Sequence, residues 1–170
     1  MKLYSLTYKN NAKGIYYNTF VTGPFVEPPP DLAHASSSYI PFSRGHYLQS
    51  EGSPKTQGEY FANLPFMVAF RDLLSVEHNQ IISLYTRDTG QLVGYNLVPA
   101  SLPNCSDYPN YAEVEATRLE SIHFFLKNRT APENLYVTEP FVLRIKQHHF
   151  TGLYCMLKWD GQHVVGLDYD

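Results

Sequence analysis

The sequence predicts an α+β fold in which two related strand–helix–hairpin units share one core and form mainly antiparallel sheets. Short segments of alternating polarity predict the strands, segments with helical spacing of apolar residues predict the helices, and two parts of the chain resemble each other. Apolar residues make up 44% of the 170 residues, and aromatic residues 15%. A chain of this length and composition can bury a core of its own, so we expect one domain over residues 1–170.

The N-terminal segment, residues 1–23, predicts a β-hairpin. Residues 3–8 alternate in period 2, which is typical of a strand. Residues 15–21 are rich in β-branched and aromatic side chains, and a pair of asparagines and a glycine before them favour a turn. Gly23 and Pro24 then end the second strand.

Residues 24–58 predict an irregular region, because their prolines, glycines and serines leave little room for regular structure. Pro28, Pro29 and Pro30 favour extended polyproline geometry. Such a long segment without secondary structure is often functional. The alternative is a loop that follows the surface and covers the core with aromatic residues such as Phe42.

Residues 59–100 predict the first strand–helix–hairpin unit. Apolar residues between 66 and 76 have helical spacing. Residues 81–85 and 92–98 predict two strands, and Asp88 and Gly90 lie between them where hairpin turns favour these residue types. Together these segments predict a short strand, a helix and a hairpin.

The following segment, residues 99–109, contains three prolines and predicts a loop. Residues 112–128 contain good helix formers with a mixed apolar stripe, so they predict a helix. Glu120 lies three residues before His123, but no second acidic residue lies at helical spacing from them.

Residues 133–170 predict the second unit. A short strand over 134–138 precedes Pro140, which is tolerated in the first turn of a helix. Residues 150–158 and 163–167 then predict a second hairpin, with Asp160 and Gly161 at its turn.

The two units resemble each other when the sequence is shifted by 69 residues. Met67–Tyr85 then aligns with Tyr136–Tyr154 without a gap and gives four identities in 19 positions, at Val68, Leu74, Leu84 and Tyr85. The order of elements is also shared. Coincidence of α+β patterning is the alternative explanation.

Charge and cysteine content exclude several classes of protein. The net charge of −3 does not fit the basic surface of a nucleic-acid-binding protein. The absence of a long apolar run predicts no membrane span, and the polar N-terminal segment predicts no secretory signal. Cys105 and Cys155 lack a metal or disulfide spacing, so we expect reduced thiols in a cytoplasmic protein, although a bridge between them stays open.

Catalytic motifs are hard to find in the sequence. His148 and His149 are adjacent, so their side chains diverge, and we expect them in a loop or at a helix end rather than at a metal site. Cys105 with a distant histidine remains an alternative nucleophile. We therefore expect no enzyme, no cofactor and no metal site, with a small hydrolase that uses a cysteine or histidine as the alternative.

A segment rich in tyrosine and carboxylate is the best sequence candidate for a protein-binding surface. Tyrosine is a favoured interface anchor, and neighbouring carboxylates attract a basic partner. The alternative is that the tyrosines cover the core and the carboxylates are solvated. Together with two tyrosines of the irregular region, the candidate binding residues are Tyr39, Tyr47, Asp107, Tyr108, Tyr111, Glu113 and Glu115.

In the second unit, Asn134–Glu139 has the sequence Asn-Leu-Tyr-Val-Thr-Glu, and Phe150–Leu153 has the sequence Phe-Thr-Gly-Leu. These motifs resemble those of a family of bacterial immunity proteins found beside polymorphic toxin genes. Asn134–Glu139 resembles the family's Leu-hydrophobic-Val-Ser-Glu strand, with Thr138 where members usually have serine. Phe150–Leu153 resembles its Thr-Gly-Leu/Val strand. Pro65–Val68 and Gly94–Val98 resemble the family's middle region.

This resemblance implies an α+β fold and a non-catalytic protein that neutralises one cognate secreted toxin by steric occlusion. Members of the family accompany effectors of contact-dependent and type VI secretion systems. The implied partner is therefore a toxin protein, with no nucleic acid and no membrane, and a homodimer stays open. The family assigns no functional residues that transfer to this chain. An adaptor that oligomerises through tyrosines is a further alternative.

Overall fold

The computed structural model describes the chain over residues 1–8, 20–29, 42–45, 59–74, 81–97, 123–128 and 131–165. These residues form an α+β fold that consists mostly of strands, which confirms the predicted fold class. The strands are β1 (Leu3–Tyr8), β2 (Phe20–Gly23), β3 (Phe42–Gly45), β4 (Glu59–Asn63), β5 (Ile81–Thr86), β6 (Leu92–Leu97), β7 (Phe124–Asn128), β8 (Ala131–Thr138) and β9 (Leu153–Trp159). The helices are α1 (Leu64–Phe70), which continues into a 3-10 turn at Arg71–Leu73, and α2 (Glu139–Gln147).

Two antiparallel sheets contain all nine described strands. The four-stranded sheet has the order β7-β8-β1-β9, and the five-stranded sheet has the order β2-β5-β6-β4-β3. Helix α1 follows β4 directly, and helix α2 follows β8 directly. No helix in the described ranges is long and apolar enough to cross a membrane.

The predicted N-terminal hairpin is wrong, because its two strands belong to different sheets. Ser5 of β1 pairs with Tyr136 on one side and with Met156 on the other. Val21 of β2 pairs instead with Tyr85 of β5. A central position between two strands buries Leu6 of β1 almost completely, and a single adjacent strand would not do this. Strand β2 ends at Gly23, as the sequence predicted. Residues 15–19, the first part of the predicted second strand, lie outside the described residues.

The strand–helix junctions follow the sequence closely. The side-chain oxygen of Asn63 accepts a hydrogen bond from the backbone N–H of Phe66 at 2.9 Å, which caps α1. Each helix has a proline in its first turn, Pro65 in α1 and Pro140 in α2. The first helix starts two residues before the predicted segment 66–76 and ends as a 3-10 turn.

The hairpin of β5 and β6 is confirmed. Their strands pair from Ile81–Leu97 to Tyr85–Leu92. Gly90 has a φ of 67°, a left-handed backbone conformation that favours glycine. Its N–H donates to the carbonyl oxygen of Thr86 at 2.9 Å and closes the turn.

Two predicted elements differ from the structure because pairing with the next strand in the chain decides their conformation. The end of the predicted helix 112–128 is strand β7, which lies along β8 with Phe125 opposite Tyr136, and the rest lies outside the described residues. Strand β3 lies within the region predicted to be irregular. In the second predicted hairpin, β9 forms, but its return is a single bridge between Trp159 and Val164.

The proposed repeat of two units is not confirmed. The shift of 69 residues aligns Met67, which lies in α1, with Tyr136, which lies in β8. A shift of 75 residues, from 64 to 139, superposes the two helix starts. In the four-stranded sheet, β1 rather than a hairpin return lies between β8 and β9.

An aromatic cluster joins the two helices in the core. The ring of Phe70 lies 4.5 Å from the ring of Phe66 in α1 and 4.5 Å from the ring of Phe141 in α2. Arg144 of α2 adds a polar link, because its Nη1 donates to the carbonyl oxygen of Ala69 at 3.0 Å and contacts the carboxylate of Asp72. The two strand–helix units therefore share one hydrophobic cluster.

Candidate functional site

An open groove of about 570 Å³ lies between helix α2 and the strands β1 and β9. Its volume lies in the range of about 300–1,000 Å³ that is usual for ligand pockets. Most of the side chains that line it are apolar. The described lining residues are Tyr4, Val142, Ile145, Lys146, His149, Phe150, Thr151, Leu153 and Cys155.

The end of helix α2 forms one wall of this groove. His149 has a φ of 54°, and its N–H donates to the carbonyl oxygen of Lys146 at 3.2 Å. The N–H of Phe150 donates to the carbonyl oxygen of Ile145 at 3.1 Å. These two bonds are the Schellman pattern, which turns the chain sharply after a helix. The turn places the side chains of Ile145 and Phe150 side by side in the groove.

A histidine at the left-handed position of this turn is unusual. Glycine occupies such positions most often, because other residues pay about 1–2 kcal/mol for the left-handed conformation. The side chain of His149 is exposed and lines the groove. An unfavourable backbone conformation at a groove wall motivates a functional hypothesis for this residue.

Strand β9 forms the opposite wall and has a second, exposed face. Leu153 and Cys155 line the groove. Because side chains alternate along a strand, Tyr154 and Met156 lie on the other face, where they are 57% and 62% exposed. Large apolar side chains with this exposure on one strand indicate a contact surface.

The outer side of β9 has described contacts only at the C-terminal end of the strand. Strand β1 is the neighbour of β9 in the four-stranded sheet. On the outer side, the described chain approaches β9 only at its end, where Trp159 is bridged to Val164 and Lys158 accepts from the N–H of Val165 at 2.7 Å. Within the described part of the chain, no strand pairs with residues 153–157 on that side. An open edge presents backbone groups that bind another strand.

The charged groups at the groove are basic. Lys146 and His149 are its ionisable nitrogen-bearing side chains, and none of the described lining residues is acidic. Burial raises the pKa of the Cys155 thiol to about 11, and the nearby charge of Lys146 opposes this rise only in part. The thiol is therefore protonated at neutral pH. The groove suits an apolar ligand that carries a negative charge.

Two other polar clusters have structural explanations. The Nδ1 atom of His123 is hydrogen-bonded to the hydroxyl of Thr138 at 2.7 Å, and burial lowers the pKa of this histidine. The carboxylate of Asp160 accepts hydrogen bonds from the N–H groups of Gln162 and His163, which lowers its pKa and fixes the turn after β9. In the ranges that the structure describes, no three histidine, cysteine or acidic side chains are grouped so that they could hold a metal ion.

The structure does not test the sequence candidates for binding. All seven lie outside the described residues, as does Cys105, so their role stays a prediction: Tyr39, Tyr47, Asp107, Tyr108, Tyr111, Glu113 and Glu115. Cys155 is a free thiol.

The sequence did not predict the groove, but it correctly predicted where the two adjacent histidines lie. His148 is the C-cap of α2 and His149 follows it, which confirms their predicted position at a helix end. The available signal was a helix that ends in two histidines and is followed by Gly152 and a strand of alternating residues. The contribution of Tyr4 from β1 was not visible, because it depends on pairing across the sheet.

The comparisons with known proteins leave the family open. No family model matches the chain, and neither the curated proteins nor the solved structures contain a match.

Proposed function

We propose that the protein is an immunity protein that binds a cognate secreted bacterial toxin and neutralises it by steric occlusion in the cytoplasm. The observation that carries the proposal is the apolar groove at β9, a strand whose other face exposes Tyr154 and Met156. The resemblance of Asn134–Glu139 and Phe150–Leu153 to immunity-protein motifs supports the same function.

The exposed side chains around β9 have the character of interface anchors. Tyrosine and methionine are enriched in protein interfaces, and Tyr154 and Met156 are both more than half exposed. A stable complex usually buries about 1,600 Å² in total, so the groove and the exposed face of β9 would form only its centre. The predicted residues of the 107–115 segment remain candidates for further contacts.

A hydrolase is the second candidate, because Cys155 and His149 line the same groove. A nucleophilic cysteine needs a lowered thiol pKa, whereas burial raises the pKa of Cys155 to about 11. The described lining residues also supply no carboxylate to orient the histidine. The chemistry of the groove therefore favours binding over nucleophilic catalysis.

Coexpression with a toxin tests the proposed function. We expect bacteria that produce the secreted toxin encoded beside this gene to grow when they also produce this protein, and the two purified proteins to form a complex. Cells with a toxin of the same class from another locus serve as the specificity control. Absence of both protection and complex formation would contradict the proposal.

The thiol distinguishes the hydrolase alternative. We expect Cys155→Ser to protect cells as well as the unchanged protein does, because occlusion does not require a thiolate. Loss of protection by Cys155→Ser while the complex still forms would favour the hydrolase.

A further inference from the structure

We infer that residues 25–27 occupy a peptide-binding site on the five-stranded sheet as an internal ligand, and that an extended segment of another protein with the same chemistry can take their place. This chemistry is an aromatic residue followed two positions later by a carboxylate. The peptide site consists of Ser83 of β5, Tyr95 of β6 and Arg71 of the 3-10 turn after α1. The inference does not depend on the proposed function, because its test uses no toxin.

Side chains, rather than strand pairing, bind the backbone of this segment. The last pair between β2 and β5 joins Gly23 and Ser83. Three residues later, the N–H of Val26 donates to the Oγ of Ser83 at 3.0 Å, and the carbonyl oxygen of Val26 accepts from the hydroxyl of Tyr95 at 2.7 Å. Ser83 and Tyr95 are opposite each other in β5 and β6 and are both buried. Two buried hydroxyl groups therefore bind both backbone polar groups of one residue.

Arg71 binds the two residues that flank Val26. Its guanidinium carbon lies 4.8 Å from the centre of the Phe25 ring, and its Nη1 forms an ion pair with the carboxylate of Glu27. The ring of Phe25 also lies 5.6 Å from the ring of Tyr95. Cation–π contacts and charge-assisted hydrogen bonds favour an aromatic ring and a carboxylate at these two positions. The middle position is bound through its backbone, and the Val26 residue is 46% exposed.

The residues on both sides of the segment favour its separate opening. Pro24 follows the end of β2, and Pro28 and Pro29 follow Glu27. Proline lacks a backbone N–H and does not continue the pairing of a strand. The side chains of Arg71 and Glu27 are 27% and 59% exposed, and such ion pairs contribute little to stability. We therefore expect residues 25–27 to open more easily than the sheet beneath them.

The internal segment limits how tightly a foreign segment binds. A ligand in the same chain acts at an effective concentration of the order of millimolar. The apparent affinity for a foreign segment is reduced to the fraction of molecules in which the site is open. Variants that weaken the hold on residues 25–27 without changing the peptide site should therefore strengthen binding of a foreign segment. A loop that only packs on the fold would give no such gain.

Binding of a labelled peptide to the intact chain tests this inference. The probe is fluorescein-labelled Pro-Phe-Val-Glu-Pro-Pro, which has the sequence of residues 24–29, and fluorescence anisotropy measures its binding. We expect the double variant Phe25→Ala/Glu27→Lys to bind the probe about tenfold more tightly than the unchanged chain does. Probes with alanine in place of phenylalanine, or with lysine in place of glutamate, should bind about tenfold more weakly or less. Because Glu27 is exposed, Glu27→Lys alone serves as a second variant with a smaller gain.

Further substitutions in the double variant locate the binding. Tyr95→Phe removes the hydroxyl that binds the peptide backbone, and Arg71→Met removes the guanidinium, so each should weaken binding of the probe about threefold or more. Tyr154→Phe is the matched control for the hydroxyl, because Tyr154 is exposed on the other sheet. Lys2→Met is the control for the charge, because it removes the exposed ion pair with Glu139. We expect both controls to leave binding unchanged.

Amide exchange of Val26 tests the opening of the segment without a foreign peptide. In the unchanged chain, the N–H of Val26 should exchange faster than the N–H groups of β6, because a weakly held segment opens locally. Tyr95→Phe should speed exchange at Val26 about threefold or more, and this increase should exceed any change in β1 of the other sheet.

Three results would overturn the inference. The first is that neither Glu27→Lys nor the double variant gains affinity for the probe while urea unfolding stays cooperative. The second is that Tyr95→Phe and Arg71→Met bind the probe as well as the two controls do. The third is that Val26 of the unchanged chain exchanges as slowly as β6, since residues 25–27 would then open only when the sheet unfolds.

Discussion

Strands β5 and β9 each follow one of the two helices, but their outer sides differ. In the five-stranded sheet, β5 lies between β6 and β2. In the four-stranded sheet, β9 pairs with β1, and its outer side meets the described chain only through the bridge of Trp159 with Val164. A similar strand–helix–strand order thus ends once in a strand with two described neighbours and once in a strand with one.

The difference bears on which unit contacts a partner under the proposed function. Natural proteins usually cover or charge the edges of their sheets, because an open edge binds other strands. Strand β2 covers one side of β5, whereas β9 exposes Tyr154 and Met156 on its face away from the groove. The proposed function therefore assigns β5 to the stable support and β9 to the binding surface.

The largest expected effect comes from breaking the aromatic cluster that both units share. Phe70→Ala should destabilise the protein by about 3–5 kcal/mol, as truncation of a buried phenylalanine does, because Phe70 is completely buried. Urea unfolding followed by circular dichroism and by fluorescence of the single tryptophan measures this loss. Both probes should report one transition, since the cluster joins the units. Two separate transitions in the unchanged protein would contradict the shared core.

The centre of the five-stranded sheet should tolerate extra volume poorly. A Cβ atom added at Gly94 would lie 2.6 Å from the carbonyl oxygen of Ala62 and 2.7 Å from the ring of Phe61. Gly94→Ala should therefore cost about 1–3 kcal/mol of unfolding free energy. At Gly23 in the outer strand β2, the nearest atom is the ring of Tyr85 at 3.0 Å, and this ring can move.

Gly23→Ala is thus the matched control for Gly94→Ala in urea unfolding. We expect it to cost less than about 1 kcal/mol, within the range of surface substitutions. Equal losses for the two variants would show that the packing of β6 against β4 is not as tight as the structure indicates.

The two strand–helix junctions should respond differently to loss of a side-chain oxygen. Asn63→Ala removes the cap of α1 and should cost about 1 kcal/mol, whereas Asn63→Ser keeps an acceptor and should cost less. Thr138 makes no such cap on α2, and its hydroxyl bonds to His123 instead. Thr138→Val should therefore leave amide exchange at the start of α2 unchanged. Faster exchange there would give Thr138 a capping role.

The smallest effect on stability is expected at the turn after α2, where it should have the opposite sign. His149→Gly should stabilise the fold by about 0.5–1 kcal/mol, because glycine adopts the left-handed conformation without strain. The same variant should weaken binding of the cognate toxin. His149→Ala keeps the strain and removes the imidazole, so it should weaken binding without the gain in stability. Unchanged toxin binding by both variants would remove His149 from the site.

The sequence predicted the elements that local chemistry determines. The first-turn proline of α2, Pro140, the turn that contains Asp88 and Gly90, and the alternation of β1 act over a few residues, and the structure agrees with each. The buried face of α2, formed by Phe141, Val142 and Ile145, also follows from helical spacing alone.

The errors lie where strand pairing, near or distant in the chain, decides the outcome. Strand β1 pairs with residues near 136 and 156, so nearness in sequence wrongly suggested β2 as its partner. Residues 124–128 combine helix-compatible spacing with pairing to β8, and the pairing prevails because strand preference depends on such contacts. The groove is formed by β1, α2 and β9 together, and the order of residues along the chain does not predict that these three elements are neighbours.

Amide hydrogen exchange of β9 and β5 tests the central claim most directly, because both strands are compared in one sample. In the free protein, the account predicts faster exchange for some amides of residues 153–157 than for those of β5, which has a neighbour on each side. Addition of the cognate toxin should slow exchange in β9 and leave β5 unchanged. Equal protection of the two strands in the free protein, or no change in β9 on binding, would contradict the account.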